Sequence, residues 1–241
     1  MSKDKFNWPL WFDLKCIGYK LILAIILLCI LQIILGLTIN LYSGVISNNT
    51  ASNLAIYDVL EAKLPLLLIL LVVLLFSQDF QDKSYEYTIS LPVNKIELVL
   101  YRYLRLLLIY TLYLTSIFLI YRYRTNLVLK SNDVEQISII GGFLGIYATS
   151  LFLGAFSLLT TIILRKKEYI FSICFGYWSF EYFSHGALTQ KLQLFICYSG
   201  NYSNRIIIIN RATLIALSII MLVVSVKIVG SKLYSLVQQH N

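Results

Sequence analysis

Two histidines, His185 and His240, are the chain's whole supply of imidazole, and its four cysteines, Cys16, Cys29, Cys174 and Cys197, are scattered without paired spacing. Nucleophilic catalysis needs a nucleophile beside a base, and metal hydrolysis needs clustered His, Cys or carboxylate ligands; neither pattern occurs. HExxH is absent, as is the glycine-rich GxxxxGK[ST] loop whose backbone amides cradle phosphates. The chain is therefore expected to be no enzyme by itself and to bind no metal or cofactor. The cysteines are best explained by packing.

Two groups of residues remain. Glu181 is the one acidic side chain close to the middle of an apolar region, near His185, and either lines a polar pathway or marks the outer end of a short helix. The second group is the run FSQDFQDKSYEYTISLPVNKIELVLYRYLR from Phe76 to Arg105, which carries Asp82, Lys83, Glu86, Lys95 and Arg102 about a central Leu91-Pro92. It is too polar for lipid and too patterned for a linker. Pro92 biases Leu91 away from helical angles, so one short helix is expected before it and a second, from Val93, leading into the next apolar run. Phe80, Tyr87, Leu91 and Ile96 can then face lipid while Asp82, Lys83, Glu86 and Lys95 face water, as a segment lying on a membrane surface requires.

The elements that position these residues are membrane spans. The 241-residue chain is 59% hydrophobic and 13% charged, with a mean hydropathy of +0.76, a composition that points to lipid rather than to a soluble core. Uncharged windows at Leu21–Ile39, Leu64–Gln78, Leu106–Tyr121, Gln136–Leu164, Tyr169–Phe180 and Ala212–Val226 predict six helical spans. About 20 residues are needed to cross ~30 Å of hydrocarbon, so the shorter windows must borrow flanking residues. Lys63, Arg105, Arg211 and Lys227 are expected to reach the headgroups on their long stems, and Tyr19, Tyr101, Tyr103, Tyr121, Tyr123 and Tyr169 to sit in the interface. Placing both termini in the cytoplasm puts 13 of the 20 Lys and Arg residues on the inner side, among them Arg165, Lys166 and Lys167. The net charge of +8 is then inner-face anchoring, and nothing points to nucleic acid.

Around these spans, the aromatic start from Phe6 to Leu14 fits a helix lying in the inner interface, equally an aromatic-belt tail, and no cleavable signal peptide is read there. Asn40 to Glu61 is expected as an outer loop, with Pro65 in the first turn of the second span. The acceptor-like tripeptides at Asn48 and Asn201 carry no assigned role. Between spans five and six, residues 192–209 have apolar pieces too short to cross and too greasy to be a free loop, so a re-entrant outer hairpin shielded by protein is expected. Gly141 and Gly145 form a GxxxG in the fourth span, a face suited to close packing against another span or a second copy.

At Asp82-Lys83-Ser84-Tyr85-Glu86, Leu91-Pro92-Val93-Asn94-Lys95 and Arg102 the chain resembles the permease subunits of ABC type-2 transporters. Those carry an acidic and a basic residue, Gly-Thr, a Leu-Pro motif followed by Ser-Arg, and a closing Lys. Here Asp replaces Glu, Ser-Tyr replaces Gly-Thr and Arg replaces Lys. The layout of six spans, amphipathic start and hairpin before the last span is also similar. The resemblance implies an all-α integral membrane protein forming a single permease domain over residues 1–241, with residues 79–102 as a cytosolic coupling segment. It further implies a bacterial plasma-membrane exporter: a second permease copy or sibling completes the pathway, a cytosolic ABC ATP-binding subunit contacts the segment around Glu86 and holds ATP and Mg, and an amphipathic or hydrophobic cargo is moved. An ATP-independent six-span channel or membrane scaffold is the alternative, which would not need a docking element centred on Pro92.

Overall fold

The computed structural model describes residues 58–81, 95–128, 139–164, 166–186, 189, 192–199 and 204–239. The first expected span, the aromatic start, Arg165, both acceptor-like tripeptides, and Asp82, Lys83, Glu86, Leu91 and Pro92 lie outside the described residues. Within them the regular secondary structure is all helix, with no strand. A π-helical turn, Asp58–Lys63, runs straight into α1 (Leu64–Gln81); α2 (Lys95–Val128), α3 (Ile139–Leu164), α4 (Lys167–Ser184), the single turn α5 (Ile196–Ser199) and α6 (Asn204–Gln239) follow.

Among the described residues four stretches are long and apolar enough to cross a membrane: Leu60–Ser77, Val99–Ile120, Phe143–Leu164 and Arg205–Ser231. They correspond to the second, third, fourth and sixth expected spans. The fifth, α4, has 18 residues but carries Lys167, Glu168 and Glu181 among them, which keeps it out of that set. The last span is longer than its uncharged window predicted, because the helix continues through Arg211 to Asn204 instead of stopping at the charge.

Burial separates these helices by role. The α1 and α3 stretches are each 72% buried within the chain, against 33% for α2 and 22% for α6, so α1 and α3 form the core and the other two turn broad apolar faces outward. α3 is the hub, packing most extensively on α6, then on α1 and α4. The π-turn and α1 together serve two apolar clusters from two stripes. Leu60, Leu64, Leu68 and Val72 recur at intervals of four and meet Tyr103, Leu107, Tyr110 and Leu114 of α2. Ala62, Ile69 and Val73 meet Phe152 and Leu153 of α3, Ile170, Cys174 and Trp178 of α4, and Leu194 and Phe195 beyond α4.

Close helix approach depends on small residues. A Cβ at Gly154 would lie 2.8 Å from Leu68 Cδ2 and 2.9 Å from the Tyr103 hydroxyl oxygen, so only glycine lets α3 seat against α1 and α2 there. Tyr103, expected at the interface, is fully buried, whereas Tyr101 and Tyr169 are exposed. The reason is register: Tyr103, Tyr110 and Leu114 share the face of α2 that meets the core. Hydroxyls stitch the same seam, with Tyr110 bonded to Ser150 at 2.9 Å and Thr111 donating to Tyr147 at 3.2 Å. At the other end of the bundle, a Cβ on Gly230 of α6 would meet Ile96 Cδ1 at 3.2 Å. Ile96 therefore lies on α6 rather than facing lipid as its position in the amphipathic pattern predicted.

Candidate functional site

The buried polar chemistry gathers where α4 ends, α6 begins and the π-turn enters α1. Pro65 explains the π-turn. Proline has no N–H, so the Glu61 carbonyl, four residues earlier, loses its α-helical donor, and the ring crowds that carbonyl; a wider turn relieves both. The helix thus begins before Pro65, and residues expected in a loop, Glu61 among them, are helical and buried. The Trp178 indole of α4 donates to the Ala62 carbonyl in this turn at 2.6 Å, fixing α4 against it.

Arg211 is the organising cation. Its side chain is 7% exposed, not extended to headgroups, and its Nη2 forms an ion pair with Glu61 Oε1, whose side chain is fully buried. The Nη1 donates to Thr149 Oγ1 at 2.6 Å and to the Leu194 carbonyl at 3.0 Å, and Nη2 also reaches Cys197 Sγ at 3.3 Å. Thr149 in turn donates to the Leu194 carbonyl at 2.9 Å. Four elements, the π-turn, α3, the 192–199 segment and α6, are thereby tied at one guanidinium. A charge buried in protein is tolerated only when paired and hydrogen-bonded, and this one meets both conditions.

Gly145 makes room for the knot. A Cβ there would meet Cys197 Sγ at 3.1 Å and Arg211 Nε at 4.0 Å, so this half of the GxxxG packs against the chain's own 192–199 segment; Gly141 lies one turn earlier in α3. Burial pushes the Cys197 thiol up to about 11, the Glu61 carboxylate adding to the push and Arg211 opposing it. That thiol packs and accepts a hydrogen bond, and its thiolate is suppressed.

Glu181 occupies a second, adjoining pocket. It is fully buried, three residues before the end of α4. Its Oε2 accepts from Thr189 Oγ1 at 3.1 Å and from the Leu194 backbone N–H at 3.4 Å. The Cys197 N–H donates to Glu61 Oε1 at the same 3.4 Å, so the two carboxylates grip the 192–199 segment at both ends. α4 terminates in left-handed conformations at His185 (φ 49°) and Gly186 (φ 72°). Gly186 is required twice over, since a Cβ would also fall 2.4 Å from Gln193 Cγ. Gln193 folds across that turn, its Nε2 donating to the His185 carbonyl at 2.9 Å, while its own carbonyl accepts from Asn210 Nδ2 of α6 at 3.0 Å. Phe195 packs edge-on against Trp178 and Tyr182.

The remaining expected residues are dispersed. Lys95 opens α2, and Arg102, buried about two turns on, does not join this cluster. Among the described residues no three His, Cys, Asp or Glu side chains come together as metal ligands. No family model matches the chain, and no curated protein or solved structure is similar to it.

Sequence reasoning placed Glu181 but missed Glu61 and Arg211. The signal for Arg211 was its setting, with Ile206–Ile209 before it and Ala212–Leu217 after, which marks a charge inside an apolar run rather than at its end. The signal for Glu61 was Pro65, which demands an irregular turn four residues earlier.

Proposed function

We propose that the chain is the membrane-spanning permease subunit of an ATP-driven ABC exporter, six spans with both termini in the cytoplasm, moved by a separate cytosolic ATP-binding subunit and paired with a second permease copy. The observation that carries the reading is the framing of residues 82–94. That connection joins two successive helices, each apolar enough to cross a membrane, and both helices continue past their apolar stretches: α1 from Ser77 to Gln81, α2 from Val99 back to Lys95.

A displacement applied there has somewhere to go. The first turn of α2 rests on Gly230 through Ile96. From Gly230 to Arg211 is 19 residues of continuous helix, or about 28 Å at 1.5 Å per residue, which is the depth of a bilayer. The coupling end and the Arg211 knot therefore occupy opposite ends of one rod, and a motor pushing at 82–94 would shift both as rigid bodies. The apolar outward faces of α2 and α6 suit a lipid-soluble or amphipathic cargo better than a strongly polar one.

The test is co-purification with an ATPase encoded beside the chain, comparing wild type with Glu86→Arg and Pro92→Ala. Wild type is expected to retain the ATPase and to change its hydrolysis rate, and both variants to lose it. A wild-type chain that neither binds an ATPase nor alters its turnover contradicts the proposal and leaves the ATP-independent channel or scaffold.

A further inference from the structure

Three buried oxygens at the end of α4, Glu181 Oε1, Ser184 Oγ and Gln193 Oε1, have no hydrogen-bond partner among the described residues. Glu181 and Ser184 are three apart and share a face of the last helical turn. Gln193 is brought to the same turn by its bond to the His185 carbonyl, and that bond also settles its amide: Nε2 donates, so Oε1 is the atom left over. The neighbouring Leu194 N–H and Thr189 hydroxyl are spent on Glu181 Oε2, not on Oε1. Both Glu181 and Gln193 are buried to within 1%.

We propose that this turn is a binding site for a monovalent alkali cation, sodium or potassium. The oxygen-only set selects a hard cation over a thiolate- or imidazole-loving metal. Charge then selects its valence. Glu61 and Arg211 cancel each other next door, Cys197 is held as the neutral thiol, and His185 is exposed. Among the described residues no cation pairs with Glu181, so its ionised form carries one negative charge, which a single positive charge balances and a divalent ion would overbalance in a buried setting. The site also lies at the C-terminus of the 18-residue α4, where the helix dipole is negative and the last carbonyls lack intrahelical donors, a recurrent way for membrane proteins to hold sodium. Because Glu181 and Gln193 also hold the 192–199 segment, occupancy would stiffen the same joint that Arg211 ties.

The experiment uses the full chain in nanodiscs, without an ATPase, so its outcome is independent of the transport reading. Thermal unfolding is followed at constant ionic strength while N-methylglucamine chloride is exchanged for sodium chloride or potassium chloride, at pH 6.5 and pH 8. A saturable upward shift with sodium or potassium, absent with N-methylglucamine, is expected, and the arm that saturates at the lower concentration names the ion. Glu181→Gln is expected to abolish the response, and Ser184→Ala to raise its midpoint about tenfold. Should either variant fail to fold, direct binding of radioactive sodium or rubidium to wild type decides the matter, at about one ion per chain. Equal behaviour in all three salts, a response that survives Glu181→Gln in folded protein, or a shift that follows pH alone, as a bound proton would give, each overturns the proposal.

Discussion

Two glutamates of this bundle are fully buried and each accepts a backbone N–H from the 192–199 segment, yet among the described residues only one has a cation. Glu61 is answered by Arg211, which also reaches Thr149, the Leu194 carbonyl and Cys197. Glu181 has a hydroxyl and an amide on one oxygen and, among the described residues, no hydrogen-bond partner on the other. In the first pocket the opposite charges are paired, with only Arg211 Nε left without a hydrogen-bond partner among the described residues; in the second, a carboxylate oxygen is left over for an added positive charge. A buried pair is a structural tie, whereas a buried single carboxylate is a site where ligand, proton or ion can act.

The largest effect follows from breaking the paired pocket. Arg211→Met strands Glu61 and removes the tie among four elements, and is expected to cost about 3–5 kcal/mol, while Glu181→Gln in low-sodium, low-potassium buffer changes stability by less than about 1 kcal/mol because no paired charge is lost. Equilibrium unfolding of both variants in the same detergent checks the contrast; equal losses would erase the distinction between the pockets. Next, Thr149→Val leaves Arg211 Nη1 without its 2.6 Å acceptor and should cost about 1–3 kcal/mol, read by the same unfolding curves. Gly154→Ala tests whether the apolar core, distant from either glutamate, is as intolerant as the polar end; overpacking against Leu68 and Tyr103 predicts a loss of about 1–3 kcal/mol. The smallest change concerns Trp178→Phe, which keeps the aromatic contacts and deletes the bond to Ala62, for about 1 kcal/mol.

A pH arm sharpens the comparison. The Cys197 thiol is raised to about 11, so the thiolate is disfavoured in the folded chain relative to the unfolded one. The associated stability is fully present below the ordinary thiol range and is lost as pH rises from there through about 11. At pH 8, alkylation of Cys197 in folded protein should run on the order of 100-fold slower than in the denatured chain; mass spectrometry of the modified peptide measures it. In folded Thr149→Val, where the knot is loosened, that protection should shrink.

Much of the architecture was readable from residue order, because apolar runs of span length leave a chain few alternatives. Among the described residues, four of the six expected spans are long apolar helices, and at Gly145, marked from its GxxxG spacing, the neighbour is the chain's own Cys197. The failures share one cause. Arg211, Glu61 and Tyr103 were each assigned to a membrane surface by the rule that polar groups seek water, and each is buried by long-range contact. Arg211 is satisfied by groups from residues 61, 149, 194 and 197, a set that no local window of sequence brings together. Tyr103 is drawn inward by the groove that Gly154 opens on a different helix. Glu181 was noticed because it is an acidic side chain close to the middle of an apolar region, but its partners, Thr189 and Leu194, lie across the turn at His185 and Gly186, whose left-handed geometry carries no unique sequence mark.

The central claim, that Glu61 and Arg211 act as one tie, is tested most directly by a double-mutant cycle on unfolding free energy with Glu61→Gln, Arg211→Met and the pair together. A coupling energy of about 2 kcal/mol or more is expected, the double variant being more stable than the sum of the single losses predicts because neither stranded charge remains. Additive losses, with coupling below about 0.5 kcal/mol, would mean that the two residues do not meet in the folded protein.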